Sequence, residues 1–127
     1  MNDTLKQTAE ALVAHCKNHT EAEGLKTLYA VDAKSVEAMA MPGSGGAEVQ
    51  GIEAIQGKHD WWEANFEVHD ATVEGPMFHG EDRFSVIFGM DTTNKESGER
   101  SQMKEVAVYT VNDAGKISKE EFFYDVG

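Results

Sequence analysis

Several things are scarce in this sequence, and each scarcity excludes something. There is one cysteine, Cys16, which cannot form an internal disulfide or build a structural zinc site alone. Basic residues are outnumbered, with Lys+Arg 11 against Asp+Glu 23 and a formal net charge of −12. Such a field repels phosphate backbones and anionic headgroups, so neither nucleic acid nor a membrane surface is an expected partner. No stretch approaches the ~18 apolar residues that span a bilayer. The start, Met1 to Cys16, has no basic region leading into an apolar core, so no secretory leader is expected. Internal repeats and low-complexity tracts are also missing. What is present is 127 residues, 40% hydrophobic and 27% charged, which fits one compact acidic domain over residues 1–127, expected in the cytoplasm. A chain of this size buries about two-thirds of its unfolded surface and needs no covalent staples.

The first half carries helical periodicity. Leu5, Ala9, Leu12, Val13 and Cys16 form one apolar stripe, with Lys6, Gln7, Glu10 and Lys17 outside it. Thr20 followed by Glu23 matches a capping box, which predicts a second helix carrying Leu25, Leu28 and Tyr29 inward. Lys34 to Met41 alternates weakly and is expected as a strand. Pro42-Gly43-Ser44-Gly45-Gly46 reads as a flexible loop; Pro42 stands where a nucleophile elbow around Ser44 would need a glycine. Gly51 opens a third helix, in which Ile52, Ile55, His59, Trp62 and Phe66 step by three and four along one face. His59 and Trp62 interrupt that apolar stripe toward its end, where a helix stops packing and starts lining a cavity.

The second half reads as strands. Glu67 to Phe78, Asp82 to Thr93, Gln102 to Val111 and Lys116 to Tyr124 are separated by short turn-rich segments, which favour antiparallel neighbours. Helices first and a meander afterwards predict an α+β domain, with three helices on the concave side of a curved, mostly antiparallel sheet.

The order of two helices, Leu28-Tyr29-Ala30-Val31-Asp32, a strand, a Gly-initiated helix and a four-stranded meander resembles the nuclear transport factor 2-like superfamily. Gly51-Ile52-Glu53-Ala54-Ile55, Trp61-Trp62, and Gly115-Lys116-Ile117 before Glu120-Glu121-Phe122-Phe123-Tyr124 resemble its SnoaL-like branch. The resemblance implies a cone-shaped barrel open at one end onto a pocket, and a homodimer packed through the outer face of the sheet. It does not fix the chemistry, because this shell hosts isomerases, cyclases, dehydratases, hydrolases and binders. Ketosteroid isomerases of this superfamily use a carboxylate base and a Tyr–Asp oxyanion pair. The shared motifs put those three positions at Ala38, near Val13 and at Ala107, so that mechanism is not expected. Glu37 replaces the missing base only if an extra residue between Asp32 and Val36 shifts the strand register. The resemblance also implies that Met103, Glu105, Tyr109, Glu120, Phe122 and Tyr124 face the pocket. Alternation sends Glu67 and His69 together to one face, expected to be the same one.

Four residues are candidates for proton transfer. His59 and His69 titrate near neutrality without help, and Glu67, Glu105 or Glu120 could orient them. Glu105 and Glu120 stand on adjacent predicted strands, where two carboxyls in a low dielectric would not both ionise and one could act as an acid. Structural hydrogen bonding and a solvated rim are the plainer alternatives for all four. His15 and His19 have helical ligand spacing but no third ligand, so they read as a surface pair, and no metal or cofactor is expected. A metal held by His59, His69 and the glutamates is the weakest reading. Trp62, Phe66, Phe88, Phe122, Tyr109 and Tyr124 would give a cavity an aromatic wall for a small hydrophobic molecule, with Glu67 beside it. The sequence therefore points to a small-molecule pocket protein, with metal-independent acid–base catalysis on a hydrophobic substrate if it is an enzyme. The alternative is a non-catalytic ligand-binding or dimeric interaction module of the same fold.

Overall fold

A computed structural model describes residues 3–39 and 46–124 of the chain. Its first helix, α1 (Asp3–Asn18), buries Leu5, Thr8, Ala9, Leu12 and Val13, and each leucine removed from water contributes about 2 kcal/mol. Thr20 precedes α2 (Glu21–Leu28) as expected, but its side chain makes no cap. The Thr20 hydroxyl instead lies 2.7 Å from His15 Nδ1, and the His15 ring packs so close to Gly24 that a Cβ there would sit 3.1 Å from it. The backbone carbonyl of Thr20 still accepts from Glu23 and Gly24, which starts the helix.

The strand expected from Lys34 begins earlier: β1 is Tyr29–Val36. The glycine-rich segment 42–45, expected as a loop, lies outside the described residues. After it come β2 (Glu48–Gln50) and α3 (Ile52–Asn65). Gly51 introduces α3 with φ +97°, a conformation that disfavours any residue with a Cβ, while its N–H donates to Ala33. Phe66, expected as the last residue of the helical stripe, instead begins the next strand.

The remaining strands are β3 (Phe66–His79), β4 (Arg83–Asn94), β5 (Arg100–Val111) and β6 (Ile117–Phe123). They form the predicted antiparallel meander. β1 joins it parallel to β6 and is itself paired with β2, giving the order β2-β1-β6-β5-β4-β3. The result is a curved, mostly antiparallel, unclosed sheet with three helices, as the α+β expectation required.

Cross-strand register arranges the core-facing side chains in rows. One row runs Ser35, Glu120, Tyr109, Phe84, and all four are buried. The next runs Phe122, Ala107, Val86. Beyond it Glu105 pairs with Phe88, and Met103 with Met90, all only partly buried. The concave face is therefore sealed at the Glu120 row and opens past Glu105.

Candidate functional site

A register shift in β1 settles the face of Glu37. Tyr29 opposes Ile117 and Lys34 opposes Lys119, so five residues of β1 pass two of β6. Ala33, within the shift, and Ser35, past it, are fully buried, and Glu37 follows them in the same alternation. Ala38 is exposed. The shift falls between Tyr29 and Lys34, with regular pairing from Lys34 to Val36, rather than at an extra residue anywhere from Asp32 to Val36; the Glu37 carboxylate lies inside.

Lys58 answers it from α3. Its Nζ donates to Glu37 Oε2 at 2.9 Å and to Ser35 Oγ at 2.5 Å, with the two charged side chains 12% and 20% exposed. The same ammonium lies 5.0 Å from the centroid of the Phe122 ring, a cation–π arrangement. Tyr124 donates its hydroxyl to Glu37 Oε1 at 3.3 Å. Ser35, Glu37, Lys58, Phe122 and Tyr124 are therefore gathered from β1, α3 and the end of β6.

Glu105 and Glu120 share this interior. Burial, reinforced by repulsion from Glu37, pushes Glu105 up to about 7, with Lys58 opposing. Burial likewise pushes Glu120 up to about 7, against Lys58 and a hydrogen bond from Tyr29. Glu120 is 1% exposed, and its Oε1 is buried without any hydrogen-bond partner. An unmet buried acceptor costs about 1–3 kcal/mol. Burial, then Glu120, hold the Tyr29 and Tyr109 phenols well above their usual range. Tyr124 is also raised, first by burial and then by Glu37.

The other candidates are spread more widely. His59 is half-buried on α3, where burial and the adjacent Lys58 lower its titration against a weak pull from Asp60. Trp62 stacks on Phe66 with centroids 5.4 Å apart. Tyr109 stacks on Phe84 at 4.8 Å, in the sealed row. The inward orientation expected of Glu67 and His69 is corrected. Because Phe66 starts β3 on the inner face, Glu67 falls opposite Thr93 on the outer face. His69 occupies a register shift between Val68 and Asp70 and is exposed, its Nε2 2.6 Å from Thr93 Oγ1. Neither joins the interior carboxyls. Asp91 and Arg100, on the same outer face, form a two-pronged ion pair at 2.9 and 3.0 Å.

Sequence reasoning did not select Ser35 or Lys58. Lys58 had a signal, since it lies three residues after the fully buried Ile55 and four before Trp62, on the inner side of α3. Among the described residues no group of three or more His, Cys, Asp or Glu is placed to hold a metal ion, and no helix is long and apolar enough to cross a membrane. A concavity of about 330 Å³ bordered by Asp70, Thr72, Gly89, Asp91, Gln102 and Lys104 lies away from the Glu37–Lys58 pair.

Comparison with known proteins gives a consistent frame. A family model described as a SnoaL-like domain matches residues 4–124. A Mesorhizobium loti structure, described as a SnoaL-like polyketide cyclase and also as a carbohydrate phosphatase, is 39% identical with TM-score 0.86, covering 98% of this chain and 100% of that one. A Mycobacterium tuberculosis protein solved with estradiol-17beta-hemisuccinate is 21% identical, with TM-score 0.67 and coverage of 96% and 92%. TerC, crystallised with polyporic acid, is 19% identical, with TM-score 0.73 and coverage of 96% and 92%. No curated protein matches the chain significantly.

Proposed function

The chain belongs to the SnoaL-like domain family, and on that premise we propose that its concave face binds a small hydrophobic molecule and catalyses proton transfer on it. The observation that carries this reading is the buried Glu37–Lys58 pair facing Glu105, a carboxyl raised to about 7. Ligands of similar folds, a steroid ester in one case and polyporic acid in another, support a ring-shaped guest.

In this reading Glu37 is the base, and Lys58 and Tyr124 fix its two oxygens. It takes a proton from a carbon next to a carbonyl, while Glu105, still protonated near neutrality, gives one to the carbonyl oxygen. A C–H bond breaks, an O–H bond forms, and an enol results; reversal at another carbon isomerises the substrate. An acid that titrates close to the working pH is well matched to such a step. β6 lies between β1 and β5, so the two carboxyl-bearing strands stand about 10 Å apart, enough for a flat ring between them. Phe88, Phe122 and Trp62 would supply its apolar contacts. Glu120 stays below as a second neutral acid. His59 is a neutral base held in reserve beside Lys58, and His69 takes no part.

The test is exchange of the α-protons of 2-tetralone in D₂O, followed by NMR. The protein should accelerate exchange, and Glu37→Gln should lower that acceleration about 100-fold. Full exchange in Glu37→Gln would remove Glu37 from the mechanism. Binding without exchange in the wild type would select the non-catalytic carrier instead.

Dimerisation belongs to the same proposal. Val106 and Phe123 oppose each other across β5 and β6 on the outer face, 38% and 52% exposed. A second copy covering this pair should give a dimer in light scattering, and Phe123→Lys a monomer.

A further inference from the structure

We propose that the buried Ser35 hydroxyl is a relay, coupling the proton on Glu120 to the grip of Lys58 on Glu37. The starting observation is a buried donor and a buried acceptor that stand side by side, each one bond short. Ser35 is fully buried and Glu120 is 1% exposed. They oppose each other across β1 and β6, so their side chains leave adjacent strands about 5 Å apart on the same face. The Ser35 oxygen accepts from Lys58 Nζ at 2.5 Å, and a hydroxyl that accepts still has its own hydrogen to donate. Among the described residues that hydrogen has no acceptor. Tyr29 donates to the Glu120 carboxyl, yet Oε1 is buried without a partner.

Closing this gap needs no cavity. The terminal torsion of a glutamate is broad, and turning it swings Oε1 within a packed site without adding volume. Once Glu120 ionises, the anion gains a charge-assisted bond from the hydroxyl, about twice as strong as a neutral one. A hydroxyl that donates to an anion becomes a better acceptor in turn. Ser35 therefore draws the ammonium inward, away from Glu37 Oε2 at 2.9 Å. Lys58 can be drawn because it is already divided between the two. Glu37, 20% exposed, keeps the Tyr124 hydroxyl. Other groups face Glu120 as well. Lys58 on α3 and the Tyr29 bond favour its ionised form, and Glu37 on β1 opposes it; Glu105 and Tyr109 on β5 and Cys16 on α1 also feel its charge. The coupling belongs to the resting protein and is read without substrate; in the reaction proposed above it makes Glu37 a stronger base once Glu120 has lost its proton.

The test is carbon-13 NMR across pH on protein labelled at the glutamate carboxyl and lysine ε carbons. Glu120→Gln and Glu105→Gln assign the two raised carboxyls, and Lys58→Met assigns the ammonium. In the wild type the Lys58 signal should shift in step with the Glu120 carboxyl, and Glu120→Gln should abolish that step. Ser35→Ala should raise the Glu120 titration by about one pH unit, because the ionised form loses a hydrogen bond, and should remove most of the Lys58 step. Ser35→Thr, which keeps the hydroxyl, should restore both. A Glu120 titration unmoved in Ser35→Ala, or a full Lys58 step surviving there, would overturn the relay. A wild-type Lys58 signal that ignores the Glu120 titration would overturn it with no substitution at Ser35.

Discussion

Replacing Glu120 by glutamine should make the protein more stable, and only above about pH 4.5. In the folded chain burial raises this carboxyl from the ordinary 4.5 to about 7. Each pH unit between the folded and unfolded titrations is worth about 1.4 kcal/mol, so the free acid is favoured by about 3 kcal/mol. Between the two titrations the native state holds a proton that the unfolded chain has released. Stability from this group is therefore complete below about 4.5 and is lost as pH rises through about 7. Glutamine carries no ionisation to lose. At about pH 8 Glu120→Gln should gain about 3 kcal/mol over wild type, or about 10 °C in Tm for a chain of this size; near pH 4 the gain should vanish. Urea titrations of both proteins across that range give the difference directly. His59, held neutral by burial, contributes a slope of opposite sign on the acid side of neutrality, but it is common to both proteins and cancels. Glu105, also raised to about 7, adds a second falling slope that the variant retains. Parallel stability curves for the two proteins would show that Glu120 ionises as readily in the fold as outside it, and would refute the reasoning.

Three further outcomes follow from the same geometry. Lys58→Met leaves the largely buried Glu37 without its cation and should cost about 3 kcal/mol; because Lys58 opposes the rise of both Glu105 and Glu120, the protonated-carboxyl infrared band should persist to higher pH. Cys16 is pushed up to about 12 by burial, then by Glu21 and Glu120, so a disulfide reagent at about pH 8 should leave it unmodified in the native protein and react once guanidinium unfolds the chain. His69→Ala removes only an exposed hydrogen bond to Thr93; stability should stay within about 0.5 kcal/mol and ketone binding should not change, whereas a tenfold loss of binding would return His69 to the site.

What the sequence revealed and what it hid divide along a physical line. The four meander strands and the α1 stripe were legible because their side chains alternate or recur against one continuous core, and burial follows that period. Glu105, Glu120, Phe122 and Tyr124 were placed on one face by the family resemblance, and the regular pairing of Ala107 with Phe122 and Tyr109 with Glu120 keeps those side chains in step. His69 misled because its strand starts one residue earlier than periodicity suggested. Phe66 satisfies a helical stripe and a strand face equally well, and reading it as helix inverts Glu67 and His69, until the shift after Val68 returns Ala71 and Val73 to the inner face. Glu37 was ambiguous for a deeper reason. Its face depends on a register shift between β1 and β6, strands joined in parallel and separated by the whole meander, and no local pattern records how two such distant segments slide. The shift brings Glu37 to the ammonium that α3 carries, and without it Lys58 and Ser35 would have no carboxylate to share. The acid–base pair is thus a tertiary property of three segments, each of which looks ordinary alone.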